Sequence, residues 1–271
     1  MDINQVDIEK IVQQVLSQMG DQKPDGRKQT APQSFSIPKR AKVAMMTEVK
    51  EFDIPEIGDD EMLVKVEGCG ICGTDVHEYK NDPFGLIPVV LGHEGSGQIV
   101  KMGKNITQDT TGKPLALGDK IVTCTIPCGK CDACLNMREK DNLCENSGIY
   151  GLMPEDDHYH FNGWFSEYLV IRKGSTFFKV NDMSLKLRLL IEPAAVVVHA
   201  VERAKSTGLL TFNSNVAIQG LGPIGLMLLA VIRTMGVENI IAIDGDEKRL
   251  QMAKRFGAKY TMNFKNYKDL D

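Results

Sequence analysis

Residues 215–232 read NVAIQGLGPIGLMLLAVI, an apolar strand that runs through Gly220, Gly222 and Gly225 straight into an apolar helix. A G-x-G-x-x-G triplet alone is weak, because glycines recur by chance. Between a strand and a helix it has the context that a dinucleotide-binding turn requires. The first glycine permits the tight turn, the second lets backbone approach a pyrophosphate, and the third allows helix and strand to pack closely. The helix opens at Pro223 and Ile224, so free N–H groups and the positive end of its dipole face the turn. Asp244 ends the next strand, at roughly the twenty-residue offset of a carboxylate that takes the adenosine ribose hydroxyls. A carboxylate there repels a 2′-phosphate, which favours NAD over NADP. The competing reading is a glycine-rich turn with no ligand, and the register of strand, helix and Asp244 argues against it.

The surrounding pattern extends that unit. From about residue 191 the chain alternates: helix 194–206, strand 215–220, helix 223–235, strand 239–244, helix 246–256, strand 259–264. Such alternation predicts βαβ units and a parallel sheet, an α/β arrangement. Residues 39–190 differ in texture. Short runs such as MLVKVEG, GQIVKMG, DKIVTC and SEYLVI, separated by Gly, Pro, Asp and Asn, predict a small β-barrel-like domain. Within residues 1–19, Ile8, Ile11, Val12, Val15, Leu16 and Met19 form one apolar stripe of a short helix, stopped by Gly20. Residues 20–38 lack periodicity and read as a linker.

Charge and composition narrow the function. The chain carries 32 basic and 36 acidic residues, a formal charge of −4, so no basic excess draws it to nucleic acid. Its longest apolar stretches, such as LMLLAVI (226–232), fall short of the roughly 20 residues of a membrane helix, so no membrane partner is expected. The start, MDINQVDIEK, has no apolar core and does not read as a secretory signal. The cysteines are therefore expected in a reducing, cytoplasmic compartment, where structural disulfides are rare.

That expectation bears on CGKCDACLNMREKDNLC (128–144), which holds Cys128, Cys131, Cys134 and Cys144. Four thiolates close a tetrahedron about zinc and leave no place for substrate, so a metal here is structural. A second constellation is GCGICGTDVHEY (68–79) followed by LGHEGSG (91–97). Cys72, His93 and Glu94 are ligand types that zinc accepts. Asp75 can hold a metal-bound imidazole in one tautomer, and Thr74 and His77 can carry a proton away from a bound alcohol. Other residues read more plainly: Cys69 as a packed thiol, His158 and His160 as members of an exposed polar loop, His199 as a core histidine, Trp164 as packing. Cys124 is a weak candidate for ligand exchange with the four-cysteine segment.

CGICGTDVH, GHEGSG, the four-cysteine lobe and GLGPIG stand in the order found in the zinc-dependent medium-chain alcohol and polyol dehydrogenases, and the chain resembles that family over about residues 40–271. The resemblance implies a GroES-like catalytic barrel at 39–190 and a Rossmann dinucleotide-binding domain at 191–271, of which the first half is present. It implies two zinc ions per chain: a catalytic one held by Cys72, His93 and Glu192, with Glu94 able to exchange onto it, and a structural one in the lobe. Glu192 opens EPAAVVVHAVERA, which is similar to the corresponding segment of the sorbitol-, threonine- and butanediol-dehydrogenase branch. The proton relay maps onto Thr74 and His77, and the histidine-orienting carboxylate onto Asp75. The implied reaction passes a hydride between a small secondary alcohol or polyol and NAD, with zinc as the Lewis acid that stabilises the alkoxide. A homo-oligomer is implied for the whole enzyme.

Two features depart from the family. The chain ends after the third strand of the dinucleotide unit, so a fragment or truncated product with weak turnover is expected. The alternative function is then a non-catalytic zinc-binding relative that acts as a scaffold or cargo protein. The amphipathic helix at 1–19 on its tether resembles the encapsulation peptides of bacterial microcompartments, which implies shell proteins as partners and a location inside such a compartment. The last gap of the cysteine lobe is also longer than is usual in the family.

Overall fold

The computed structural model describes residues 34–45, 48–137, 141–154 and 160–267. The helix expected at 1–19, most of the 20–38 linker and His158 lie outside the described residues. The described chain divides into two compact units, one ending at Glu192 and the other beginning at Pro193.

In the first unit a hairpin of β1 (Arg40–Ala44) and β2 (Val49–Asp53) precedes a five-stranded antiparallel sheet. Its strands are β3 (Met62–Cys69), β4 (Gly95–Met102), β5 (Lys120–Thr123), β6 (Tyr168–Ile171) and β7 (Phe177–Lys179), in the order β6-β3-β4-β5-β7. Side chains alternate across a strand, and here both faces are covered. Leu63 and Val170 join Ala41 and Val43 of the hairpin in one cluster, whereas Met62, Val64, Leu169 and Ile171 join Ile99, Ile121 and Trp164 in another. This is why all four residues of β6 are buried, although a one-sided strand would alternate. Single bridges from Val43 to Ser166 and from Met45 to Val90 tie the hairpin to the segments on either side of the sheet. Phe35 and Ile37, within the expected linker, pack against the first cluster.

Among the described residues, three short α-helices belong to this unit: α1 (Gly73–Asn81), α2 (Asp132–Asn136) and α3 (Leu185–Arg188). The pattern rules do not see α1, because the residues it buries are Asp75 and Glu78 rather than an apolar stripe. Trp164 is buried and its indole donates to Thr123 Oγ1 at 3.1 Å, the packing role expected of it.

In the second unit α4 (Ile191–Ser206), whose first turn precedes the boundary, leads to β8 (Asn215–Gln219), α5 (Pro223–Thr234), β9 (Asn239–Asp244), α6 (Glu247–Arg255) and β10 (Tyr260–Asn263). The three strands are parallel in the order β10-β9-β8, the βαβ arrangement expected, and β8 is an edge among the described residues. One core joins Val197 and Val201 of α4 to Ile218, Leu229, Ile232, Ile240, Leu250 and Phe256. Each such side chain removed from water contributes about 1.5–3 kcal/mol. Two expectations are corrected. His199 is exposed on α4, because the apolar run around it buries only the stripe through Val197 and Val201. His160 is half-buried rather than exposed, stacked on Phe52 with ring centroids 3.8 Å apart.

Among the described residues no helix is long and apolar enough to cross a membrane.

Candidate functional site

The site is assembled where β3 ends. After Cys69 the chain turns through Gly70 and Ile71, and Cys72 becomes the N-cap of α1. Asp75, at the third helical position, completes a capping box by accepting the Cys72 N–H through Oδ2 at 2.8 Å. Its other oxygen accepts the Gly92 N–H at 3.2 Å and lies 3.5 Å from His93 Nδ1. One carboxylate, 3% exposed, thus joins the α1 start to the 92–93 turn and orients the imidazole. Gly92 allows this turn, with φ +94.

Cys72, His93 and Glu94 bring one ligand atom each within 4.8 Å of one another. Glu94 folds over Gly70, where a Cβ would stand 2.1 Å from its Oε2, so a side chain there would push the Glu94 carboxylate aside. Glu192, in the first turn of α4, stands near enough for its charge to bear on Cys69 and for His93, Glu94 and Asp75 to bear on it. The close triad contains Glu94 rather than Glu192.

Burial raises the Glu192 carboxyl, and although His93 lowers it, Glu94 and Asp75 raise it further. Burial likewise raises Glu94. Burial pulls the His93 imidazole down, but its hydrogen bonds and charge interactions with Asp75 and Cys72 outweigh that and hold it at about 9. Burial, chiefly, pushes the Cys69 thiol up to about 12, which fits its reading as a packed, unreactive thiol. A thiol, an imidazole and convergent carboxylates in a half-buried pocket suit zinc, with the imidazole braced from behind as metal-bound histidines are. Thr74 Oγ1 accepts a hydrogen bond from Cys72 Sγ at 3.7 Å, and His77, three residues on, is exposed.

In the lobe, the sulfurs of Cys128, Cys131, Cys134 and Cys144 also lie within 4.8 Å of one another, and Cys124 stands apart and exposed. Backbone N–H groups of Lys130 and Cys131 bring the Cys128 thiol down to about 6. Burial, chiefly, and hydrogen bonds to the neighbouring sulfurs push Cys134 up to about 12. Four sulfurs this close cannot all ionise unaided, and a divalent cation at their centre removes the conflict. The residues fit a closed zinc site.

The glycine turn belongs to the second unit. Gly220 has φ +88, and a Cβ on Gly225 would lie 1.9 Å from the Gly220 carbonyl oxygen, so these two glycines serve the turn and the close packing as expected. Gly222 caps α5 without a side-chain capping bond, and Pro223 and Ile224 open it. Asp244 does something the sequence does not reveal. Its carboxylate accepts the Leu221 N–H at 2.7 Å and the Asp246 N–H at 2.9 Å, with Arg249 at 3.6 Å. It therefore fixes the glycine turn itself, and the Leu221 bond is the largest cause of its lowered pKa.

Comparison with known proteins follows this geometry. A family model described as alcohol dehydrogenase GroES-like domain matches residues 58–182, and one described as zinc-binding dehydrogenase matches 223–271. The chain is 34% identical over 248 residues to a sorbitol dehydrogenase of Bacillus subtilis, covering 88% of this chain and 65% of the relative. An L-threonine 3-dehydrogenase of the same organism is 35% identical over 224 residues, 81% of this chain and 58% of the relative. Among solved structures, an alcohol dehydrogenase from Thermotoga maritima superposes with a TM-score of 0.75 at 32% identity, covering 84% of this chain and 64% of that one. The 2R,3R-butanediol dehydrogenase of Bacillus subtilis gives 0.68 at 28% identity, covering 85% of this chain and 65% of that one. The chain thus spans less than two thirds of the length of these relatives.

Proposed function

The chain belongs to the zinc-dependent medium-chain alcohol and polyol dehydrogenases, and on that premise we propose that its site serves hydride transfer between a small secondary alcohol or polyol and NAD. The observation that carries this reading is the convergence of Cys72, His93 and Glu94 within 4.8 Å, with Asp75 braced against His93. Cys72, His93 and either Glu94 or Glu192 would hold the catalytic ion, leaving a position open for substrate. Zinc supplies Lewis acidity that lets an alcohol hydroxyl lose its proton near neutral pH. Thr74 Oγ1, beside Cys72, would accept that proton while releasing its own toward the exposed His77, which would pass it to water. The Asp75 carboxylate, 3.5 Å from Nδ1 of His93, favours Nε2 as the nitrogen left for the metal. The α5 N-terminus beside Gly220 and Gly222 would take the pyrophosphate, and Asp244 would disfavour a 2′-phosphate. The lobe would hold the second, structural ion.

The test is a pair of measurements on the zinc-loaded protein: metal content, and NAD reduction with a panel of secondary alcohols and polyols. Two ions per chain and turnover abolished by Cys72→Ser support the reading. One ion and no turnover with any substrate point instead to a non-catalytic zinc-binding relative.

We propose further that residues 1–19 are a cargo tag for the shell proteins of a microcompartment, supported by the apolar stripe from Ile8 to Met19 and the linker-like composition after it. Deleting residues 1–20 should abolish co-sedimentation with shell proteins; unchanged co-sedimentation would sink the idea. A homo-oligomer is proposed on the family relation alone, and light scattering checks it.

A further inference from the structure

In the same unit as the candidate metal ligands lies an ionic cluster, buried at Arg188 and Ser96 and partly open to solvent at Glu67 and Lys120, that the reaction scheme above does not use. Arg188, the last residue of α3, is 6% exposed. Its Nη1 donates to Glu67 Oε2 at 2.7 Å and to Ser96 Oγ at 2.8 Å. Ser96, fully buried, donates its hydroxyl to the Ile121 carbonyl of β5 at 2.8 Å. Glu67 accepts Lys120 Nζ on its other oxygen at 2.5 Å. Arg188 Nε has no hydrogen-bond partner among the described residues.

Burying a guanidinium with one donor unsatisfied costs stability, and apolar residues of similar volume would often pack as well. The cluster therefore needs a reason beyond packing, and its place in the chain supplies one. Glu67 lies on β3 five residues before Cys72, Ser96 is the second residue of β4 and two residues after Glu94, and Arg188 stands four residues before Glu192. One guanidinium thus joins the three segments that carry every candidate ligand of the catalytic ion. Leu185 and Leu189 seat the same segment on Gly68, where a Cβ would meet both at 3.4 Å. Apolar contact holds the segment down but allows it to slide, whereas two directional charge-assisted bonds fix its register.

We propose that Arg188 is a positioning residue of the catalytic metal centre, setting through Glu67 and Ser96 the distances among Cys72, His93, Glu94 and Glu192. The inference rests on the reading of those residues as metal ligands, and its test separates the two. The metal-free protein is loaded with cobalt(II), and the thiolate charge-transfer and d–d bands of the two sites are followed during competition with a chelator. In the parent chain two ions are expected, with the four-thiolate lobe as an internal control. Arg188→Met should weaken the Cys72–His93 site on the order of tenfold or more, within the range for residues that support metal ligands. It should also shift that site's d–d bands and leave the lobe's spectrum unchanged. Arg188→Lys, which keeps the charge but loses the second directed bond, should recover part of the affinity. If Arg188→Met does not fold, Ser96→Ala removes one bond without emptying the core, and the same loss, smaller in size, is expected. A parent with two ions and both variants at parental affinity and spectrum overturns the positioning role while leaving the ligand reading intact. A parent that takes only the lobe ion overturns both.

Discussion

Asp75 is the single residue on which most of the candidate site hangs, because one buried carboxylate caps α1, bonds the 92–93 turn and faces His93. Asp75→Asn should cost about 1 kcal/mol of stability as a weakened cap. It should also lower metal affinity at Cys72 and His93 by about 10–100-fold; chelator competition measures the second effect and denaturant melts the first. Gly225 is constrained as strongly for a different reason. Gly225→Ala drives a methyl group into the Gly220 carbonyl oxygen and should destabilise the second unit by about 1–3 kcal/mol, read as a lowered denaturation midpoint. Sequence reasoning finds both residues, since each sits in a motif of recognised spacing. It does not find Arg188, one of two basic residues in the run LKLRLLIEP, whose partners are 92 and 121 residues away.

Elements show where local signals suffice. The three strands and two crossover helices of the second unit are legible because each repeats at its own period and is bounded by turn residues. The helix α1 is not, because its inward face is acidic. The β8–α5 turn also carries a pH dependence. The bonds from Leu221 and Asp246 lower the Asp244 pKa in the folded chain. The stabilisation is therefore fully present above the ordinary aspartate value, about 3.9, and is lost as pH falls through the lower folded value. Melting curves of wild type and Asp244→Asn should differ at neutral pH and converge on acidification below about pH 4; a gap that stays constant to pH 2 would count against the bonds. In the lobe the prediction concerns metal removal. Cys144→Ser or chelation should expose the 128–144 segment to protease, since without a cation the sulfurs reprotonate and the cross-links that tie the loop together are lost.

At the scale of the whole molecule, every candidate zinc ligand lies in the unit that ends at Glu192, and the glycine turn lies in the other. A ligand stabilises the unit that binds it by RT ln(1 + L/Kd), where L is its free concentration. Trp164, the chain's one tryptophan, is buried in the first unit and reports on that unit alone. Its fluorescence transition should move to lower denaturant on chelation, by about 3 kcal/mol for an ion held at 100 times its Kd, and should not move with added NAD. By itself the sequence determined the parallel βαβ unit, the two cysteine-bearing motifs and the family. Those rest on period, spacing and residue chemistry, all of which act within a few dozen residues of chain. Only the tertiary structure decided that the first sheet is covered on both faces and that Glu94 rather than Glu192 completes the close triad. It alone placed the Asp244 carboxylate on the glycine turn and Arg188 between three ligand-bearing segments. These depend on which side chains meet across long separations in sequence, where close packing and the pairing of buried charge choose the partner and local pattern has no influence.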